Sequence, residues 1–516
     1  IDDGHVYYPR RALVEQTCSQ LGIAEEFVEE AVDCLAREER VVLEELDDEI
    51  GVYLTRFHHY ESKIAYYLRR ILASPKSVRF PKADEVVEKV VSRLGITLAE
   101  EQLEAVRTSA TSKVMVLTGG PGTGKTTILN AIIQVFAENK AKILLAAPTG
   151  RAAKRMSELT GMEAQTVHRL LGMTWNEASH QVTFQKTEKE PLEAEAVIVD
   201  EMSMVDVSLF SALLRALRPG TRLVLVGDAD QLPSVGAGNV FSDLIRSKKI
   251  ETVFLREVFR QAEQSAIIRN AHRVNLGESP ELKGNQGDFF FLCRRDAQRA
   301  VSTVLELCRT RLPDNMHIPA DQIQVLTPTR KGPCGTMNLN RLLQDALNPK
   351  APGKRELTWG ERVFRVGDRI MQTRNDYDVV WEKADGTVGT GMFNGDVGRI
   401  VEIDQSGEWL ALDFDGRTAP YSTEMLSEID LAYAQTVHKA QGSEYRCVVL
   451  AAMPSAPSLM VRGVLYTALT RARELLVIVG DDAAVRSMAA NDKQQKRYSG
   501  LKWRLCHAGD EVGQSE

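Results

Sequence analysis

Gly119 to Thr127 read GGPGTGKTT, the pattern G-x-x-x-x-G-K-[ST], set between an apolar strand, KVMVLT, and a helix expected to start near Thr126. Glycines in such a loop let backbone N–H groups curl around phosphate oxygens, and the helix N-terminus adds its positive end. Lys125 is placed to reach β- and γ-phosphates and the Thr126 hydroxyl to ligate Mg²⁺. Gly120, Pro121, Gly122, Thr123, Gly124 and Thr127 complete the cradle. The run AVIVDEMS puts Asp200 and Glu201 at the end of another apolar strand, where open α/β sheets bind ligands. Asp200 would hold Mg²⁺ through its water shell, and Glu201 would orient and deprotonate an attacking water. A carboxylate pair there could also cap the next helix, a reading that loses weight beside Lys125. The chemistry implied is hydrolysis of ATP.

Two glutamines extend the set. Gln231, in LVGDADQLPSVGAG, follows the next strand and is placed to sense the γ-phosphate. Gln102 lies in ITLAEEQLEAV, a helix expected to open on a capping box from Thr97 to Glu100. Its amide donates and accepts at once, which suits an adenine edge; an exposed helix glutamine is otherwise only solvated.

These residues need a scaffold of strands ending at one edge. From Lys113 short apolar runs alternate with helices (KVMVLT, KILLAA, AVIVDE, TRLVLVG), predicting a parallel sheet covered on both faces. The rhythm returns after about residue 251 in TVFLRE, DFFFLC, DQIQVLTP, CVVLAAM and LLVIVG. The expected organisation is therefore α/β: a first α/β domain at 76–250 and a second at 251–349 and 431–516, interrupted by turn-rich, strand-like sequence at 350–430 that suggests a small β-barrel. Residues 1–75 read as helix, helix, hairpin, helix. Phe27, Val28, Ala31, Val32 and Leu35 are spaced for one helix, and VVLEELDDEIGVYLT suggests two strands around an Asp-Asp-Glu turn. That outline fits a winged-helix-like module or a plain packing domain, and the plain reading is preferred.

Composition narrows the class. The 516 residues are 43% hydrophobic and 26% charged, with no apolar run long enough for a membrane span and no signal peptide at the start. The opening on Ile1, without methionine, suggests that an N-terminal piece is missing. Seven scattered cysteines without a CxxC pair argue against a zinc site or a disulfide framework and for a cytoplasmic setting. The net charge of −7 means that any basic groove is local; Glu25 to Glu49 alone carries twelve carboxylates.

In this order, and followed by LREVFRQ, AYAQTVHKAQGSEY and YTALTRAREL, these segments resemble the superfamily 1 helicases of the B type. Within these they resemble the RecD-like group of exodeoxyribonuclease V α-subunits and their stand-alone relatives. The resemblance runs from about residue 76 to 485. It implies two RecA-like P-loop domains with ATP and Mg²⁺ between them, and 5′→3′ movement on single-stranded DNA that unwinds duplex in repair or recombination. Arg260 and Arg471 match two arginine fingers, and Gly442 and Glu444 would lie near the ribose. Pro148, Thr149, Arg151, Thr166 and His168 match strand-contact motifs of the first domain. His168 is as easily a capping or core residue, and Lys154 and Arg155 could lie on a solvated helix face. Arg473 fits a surface ion pair better than a nucleotide ligand. Thr329, Arg330, Thr436, His438 and Lys439 match contacts in the second domain, and Arg374, Asn375 and Asn394 lie in matching stretches of the insertion. The implied partners are single-stranded DNA, its junctions with duplex and a single-stranded DNA-binding protein; the chain would act as a monomer, away from membranes. No nuclease signature accompanies the motor.

Two alternatives stay open: an RNA helicase or ribonucleoprotein remodeller, since such a core grips mainly backbone, and a DNA-binding scaffold with a slow ATPase switch. The stretch from about 172 to 192 breaks the α/β rhythm with two alternating runs around a polar turn. It suggests a hairpin anchored by Trp175 and Phe184, or else a surface loop.

Overall fold

The computed structural model describes residues 3–78, 80, 82–176, 181–257, 264–283, 287–493 and 497–507. Two parallel sheets dominate it. The first runs Glu251–Leu255, Val114–Gly119, Arg222–Gly227, Ala196–Val199, Ile143–Ala147, Ala164–Thr166 in spatial order, every pair parallel. Its strands are apolar almost without alternation because helices cover both faces; Val116, Leu117, Val197, Ile198, Leu223 and Leu225 are wholly buried. The second runs Phe289–Cys293, Ala472–Gly480, Tyr445–Ala452, Ile323–Thr327, Ala434–Thr436, again all parallel.

The strand TVFLRE was expected to open the second half. It closes the first instead, pairing Glu251–Leu255 with Val114–Gly119. The helix Val240–Ser247 ends three residues before it, and so short a connection reaches only the sheet on which that helix already packs. The C-terminal helix Leu501–His507 is a second departure. Leu501 and Leu505 enter one core with Val6, Tyr53 and Leu68 of the N-terminal region and Phe241 and Leu244 of the first half.

The N-terminal region holds a three-stranded antiparallel sheet, Tyr7–Pro9, Glu49–Leu54, Val41–Leu46 in spatial order, with helices Arg10–Leu21, Glu25–Arg37 and Thr55–Ala73. Only Asp47 and Asp48 separate the two hairpin strands, with Asp47 at φ 50°. The helix Glu25–Arg37 buries Val28 and Val32 but leaves Phe27 66% exposed, since the i, i+4 stripe through Val28 and Val32 excludes its neighbour. Residues 356–431 form a two-stranded ribbon and a seven-stranded sheet of antiparallel pairs around Ile370, Ile400, Leu410, Leu412, Phe414 and Tyr421.

Where the N-terminal region, first half and C-terminal segment meet, Ser499 Oγ lies 2.7 Å from Glu61 Oε1 and 2.6 Å from Asp243 Oδ2. One hydroxyl proton is shared between two carboxylates, which favours a proton on one of them, and on Asp243 because Arg504 and the Gly500 N–H stand beside Glu61. Burial pushes both groups up, Asp243 to about 7. The folded state therefore binds protons more tightly than the unfolded one. The stability gained is complete below the unfolded aspartate's value of about 4 and is lost as pH rises through about 7. Asp243→Asn, whose amide can replace the protonated carboxyl, should remove this loss, worth up to roughly 1.4 kcal/mol per pH unit. Melting temperatures of both proteins across pH 5 to 8 check it: the wild type should fall relative to the variant, and parallel curves would refute the shared proton.

Candidate functional site

The phosphate loop leaves Val114–Gly119 and enters the helix Lys125–Glu138. Gly122 at φ 76° and Gly124 at φ 83° occupy the left-handed region that a side chain resists. Thr123 Oγ1 donates to the Gly120 carbonyl at 2.9 Å, and the Lys125 ammonium donates to the carbonyls of Gly119 and Gly120.

This loop lines a cleft of about 1030 Å³ between the halves. Gly120, Pro121, Gly122, Gly124, Lys125, Thr126, Thr127, Asp200, Glu201 and Gln231 face it from the first half, and Glu444 and Arg471 from the second. Asp200 and Glu201 are part-buried in the cleft wall, and Asp200 Oδ1 accepts the Glu201 N–H at 2.8 Å. Burial raises the proton affinity of both, and Asp200 raises that of Glu201 further; Lys125 and Arg155 oppose the shift in each, joined at Glu201 by Arg471. Glu201 stands at φ 54°, a conformation costing a non-glycine residue about 1–3 kcal/mol. Arg471 is almost wholly buried and donates to the carbonyls of Thr467 and Ser443 and to Thr470 Oγ1.

Gln231 Nε2 donates to Asp228 Oδ2 at 3.2 Å, while its buried Oε1 has no partner among the described residues. The same Asp228 oxygen accepts the hydroxyl of Tyr466, from the second half, at 2.8 Å. Thr467 Oγ1 accepts the Leu232 N–H at 3.1 Å, and Gln441 Nε2 donates to the Leu232 carbonyl at 2.7 Å. The loop after Arg222–Gly227 is thus stitched to the opposite half.

Three expected nucleotide residues do not line the cleft. Gln102 is spent inside the protein: its Oε1 accepts the Ala99 N–H and its Nε2 donates to the Thr123 carbonyl, each at 3.0 Å. The helix cap is therefore Ala99 with Gln102, not Thr97 with Glu100, because the helix begins at Glu100. Thr123 is buried beneath the loop, and Gly442 packs on the first half, where an added Cβ would lie 2.9 Å from Thr149 Oγ1. Arg260 falls outside the described residues. Conversely, the cleft includes Arg155, Asp228 and Arg473. Arg473 forms no ion pair among the described residues, and Arg155, though 40% exposed, pairs with Glu444 at 2.5 Å.

A second groove, of about 370 Å³, joins Gly150, Arg151, Lys154, Thr166 and Arg169 to Lys383, Phe393, Asp396, Asp415 and Arg417 of the insertion. Lys154 pairs with Asp415 at 2.9 Å and Arg417 with Asp396 at 3.1 Å, while Arg169 and Lys383 have no carboxylate partner among the described residues. Thr149 and Thr166, at the ends of Ile143–Ala147 with Pro148 and of Ala164–Thr166, cap helices by accepting from Ala152 and Arg169 N–H, and each hydroxyl can still donate. Burial pushes His168 down to about 4, so it is neutral near pH 7.

In the second half the parallel pairing of Ile323–Thr327 with Ala434–Thr436 sends Thr329 and Arg330 out beside Thr436, His438 and Lys439. Burial lowers the proton affinity of Lys439, and Arg330 and Arg362 add to this against Asp430; its ammonium has no ion-pair partner among the described residues. Burial, then Arg497, lowers that of His438. In the insertion the Asn394 N–H donates to Asn375 Oδ1 at 2.8 Å, next to an exposed Arg374.

Comparison with known proteins matches this arrangement segment by segment. Residues 102–237 match the AAA domain family, 339–414 the family described as the ATP-dependent RecD-like DNA helicase SH3 domain, and 431–479 the UvrD-like helicase C-terminal domain. The RecBCD enzyme subunit RecD of Mycolicibacterium smegmatis is 34% identical over 453 residues, spanning 81% of this chain and 77% of that protein. This chain belongs to the RecD-like helicase family. The ATP-dependent RecD2 DNA helicase of Deinococcus radiodurans is 35% identical over 456 residues, and this RecD-like chain spans 59% of its length. The Pif1 helicase from Bacteroides in complex with ADP-AlF3 and ssDNA shares 18% identity at a TM-score of 0.46, over 76% of this chain and 94% of that one.

Proposed function

We propose that this chain is an ATP-dependent DNA helicase that moves 5′→3′ on single-stranded DNA and opens duplex, in repair or recombination. The observation that carries the reading is the cleft that sets Lys125, Asp200 and Glu201 of one half against Arg471 of the other. In this reading the loop N–H groups and Lys125 bind the phosphates, Glu201 takes the proton of the attacking water, and Arg471 meets the developing charge. Thr126 and Asp200 suit Mg²⁺, being a hydroxyl and a carboxylate in one cleft; hard oxygen donors of this kind hold the ion beside substrate phosphates, where it neutralises charge. Among the described residues no three His, Cys, Asp or Glu gather as a metal site, and a phosphate-assisted site does not need them.

The strand would lie along the second groove and the ends of the second sheet, where Arg169, Lys383, Arg330 and Lys439 offer cations without carboxylate partners among the described residues. We read residues 76–255 as the first motor domain, 256–349 and 431–493 as the second, 350–430 as a small barrel, and 1–75 as a winged-helix-like module docked on the first half. A monomer working with a single-stranded DNA-binding protein, in a cytoplasm that keeps its seven cysteines free, fits this reading. Among the described residues no helix is long and apolar enough to cross a membrane.

Steady-state ATPase with and without oligothymidylate, then unwinding of tailed duplexes, tests the proposal. Turnover should rise with the oligonucleotide, and a duplex with a 5′ tail should open while one with only a 3′ tail should not. The reverse preference would place the chain in the other branch of the superfamily; unwinding of matched RNA at equal rate would favour the RNA reading.

A further inference from the structure

One helix of the first half touches both candidate sites. Gly150–Thr160 begins at Thr149, beside the strand groove, and carries Arg155 into the nucleotide cleft. Arg151 and Arg155 are four residues apart and so share a face, and both reach the same short segment of the second half. Arg151 Nη1 donates to Ser443 Oγ at 3.2 Å and to the Tyr445 hydroxyl at 3.1 Å, and Arg155 Nη1 meets Glu444 Oε1 at 2.5 Å. At Gly442 the chain passes so near Thr149 that an added Cβ would stand 2.9 Å from its Oγ1. Residues 442–445 follow Thr436–Lys439, the expected strand contacts of the second half, after Ala440 and Gln441. Each partner of the Arg155–Glu444 pair is therefore built on an element whose other end faces the strand.

The pair is too wet to hold the halves together: Arg155 is 40% and Glu444 26% exposed, and ion pairs so placed add little to stability. Its position is more telling. Arg155 acts electrostatically on both Asp200 and Glu201, and Glu444 acts on Asp200, so a change in the pairing alters the field at the catalytic carboxylates.

We infer that Arg155 is a positioning residue which, through Glu444, couples the grip on the strand to ATP hydrolysis. The inference rests on the motor reading above. A shift of either strand-contacting element moves one member of the pair relative to the other, inside the cleft where the nucleotide sits. Arg151 contributes to the same device from the strand side, as a link between halves and not only as a phosphate contact.

The test is a double-mutant cycle read as the ratio of oligothymidylate-stimulated to basal ATPase, together with the KM for ATP and the anisotropy of a fluorescent oligothymidylate. Arg155→Gln and Glu444→Gln should each lower the ratio about tenfold, within the usual span of coupling between sites. The double variant should be no worse than the poorer single, and Arg155→Lys, which can still pair, should recover most of the ratio. Oligothymidylate affinity without nucleotide should stay within about twofold of wild type. An unchanged ratio in Arg155→Gln, losses that multiply in the double variant, or a parallel loss of oligonucleotide affinity would overturn the coupling role. A wild-type chain whose ATPase ignores oligothymidylate would overturn the motor reading itself, and the coupling role with it.

Discussion

Glu201→Gln should bind ATP almost as well as the wild type and hydrolyse it about 10²–10⁴-fold more slowly, the range that a general base contributes. The substitution keeps side-chain length and shape and removes the charge and the ability to take a proton. Its backbone, at φ 54°, asks no more of glutamine than of glutamate. Lys125→Ala should behave differently. Lys125 supplies charge to the phosphates and also ties the loop through the carbonyls of Gly119 and Gly120, so nucleotide affinity and turnover should fall together. Binding of a fluorescent ATP analogue and single-turnover hydrolysis, with oligothymidylate present, separate the two patterns. Near wild-type turnover in Glu201→Gln would remove it as the base, and loss of binding equal to that of Lys125→Ala would make it a ground-state ligand.

What could be read from the residues divides along a physical line. The phosphate loop, the carboxylate pair and the strands that end beside them are set by local chemistry: glycine conformations, strand-forming runs and a helix start. They stand where the sequence predicts them. Gln102 shows where local reading stops. Its amide was free to pair with any neighbour, and the fold sets the carbonyl of Thr123 beside it before any adenine. Arg155 and Tyr466 show the limit from the other direction, because their partners, Glu444 and Asp228, belong to the opposite half and docking alone brings them near. The four-residue spacing of Arg151 and Arg155 was a usable signal, since it marks one helix face with two cations. The boundary at Glu251 failed for a related reason: an apolar strand suits either sheet, and the short connection behind it decides.

Replacing residues 174–183 by a short glycine linker should abolish duplex unwinding and leave DNA-stimulated ATPase largely intact. The strands Met173–Asn176 and Gln181–Phe184 pair antiparallel, so the break in the α/β rhythm is a hairpin rather than an open loop. Its base is fastened: the Gln185 and Lys186 N–H groups donate to the carbonyls of Gly172 and Leu171 at 3.1 and 3.0 Å, and Phe184 packs on the first core. The side chain of Trp175, the other expected anchor, lies outside the described residues. Keeping Phe184 to Lys186 therefore keeps the attachment while removing the rest of the hairpin. The hairpin follows Val167–Leu170 and so leaves the first half beside the strand groove, and at its base the Tyr377 hydroxyl of the insertion donates to Met173 Sδ at 3.1 Å. A pin held from both sides at that place needs only to divert one strand, because each base-pair step resists separation by about 1.4 kcal/mol, a small fraction of the energy of one ATP. Lys125, Glu201 and Arg471 line the nucleotide cleft, and none of the described hairpin residues lines it. Gel or fluorescence unwinding of a 5′-tailed duplex, set beside ATPase on the same preparation, gives the answer. Normal unwinding would reduce the hairpin to surface decoration, and loss of ATPase as well would mean that it supports the fold of the first half.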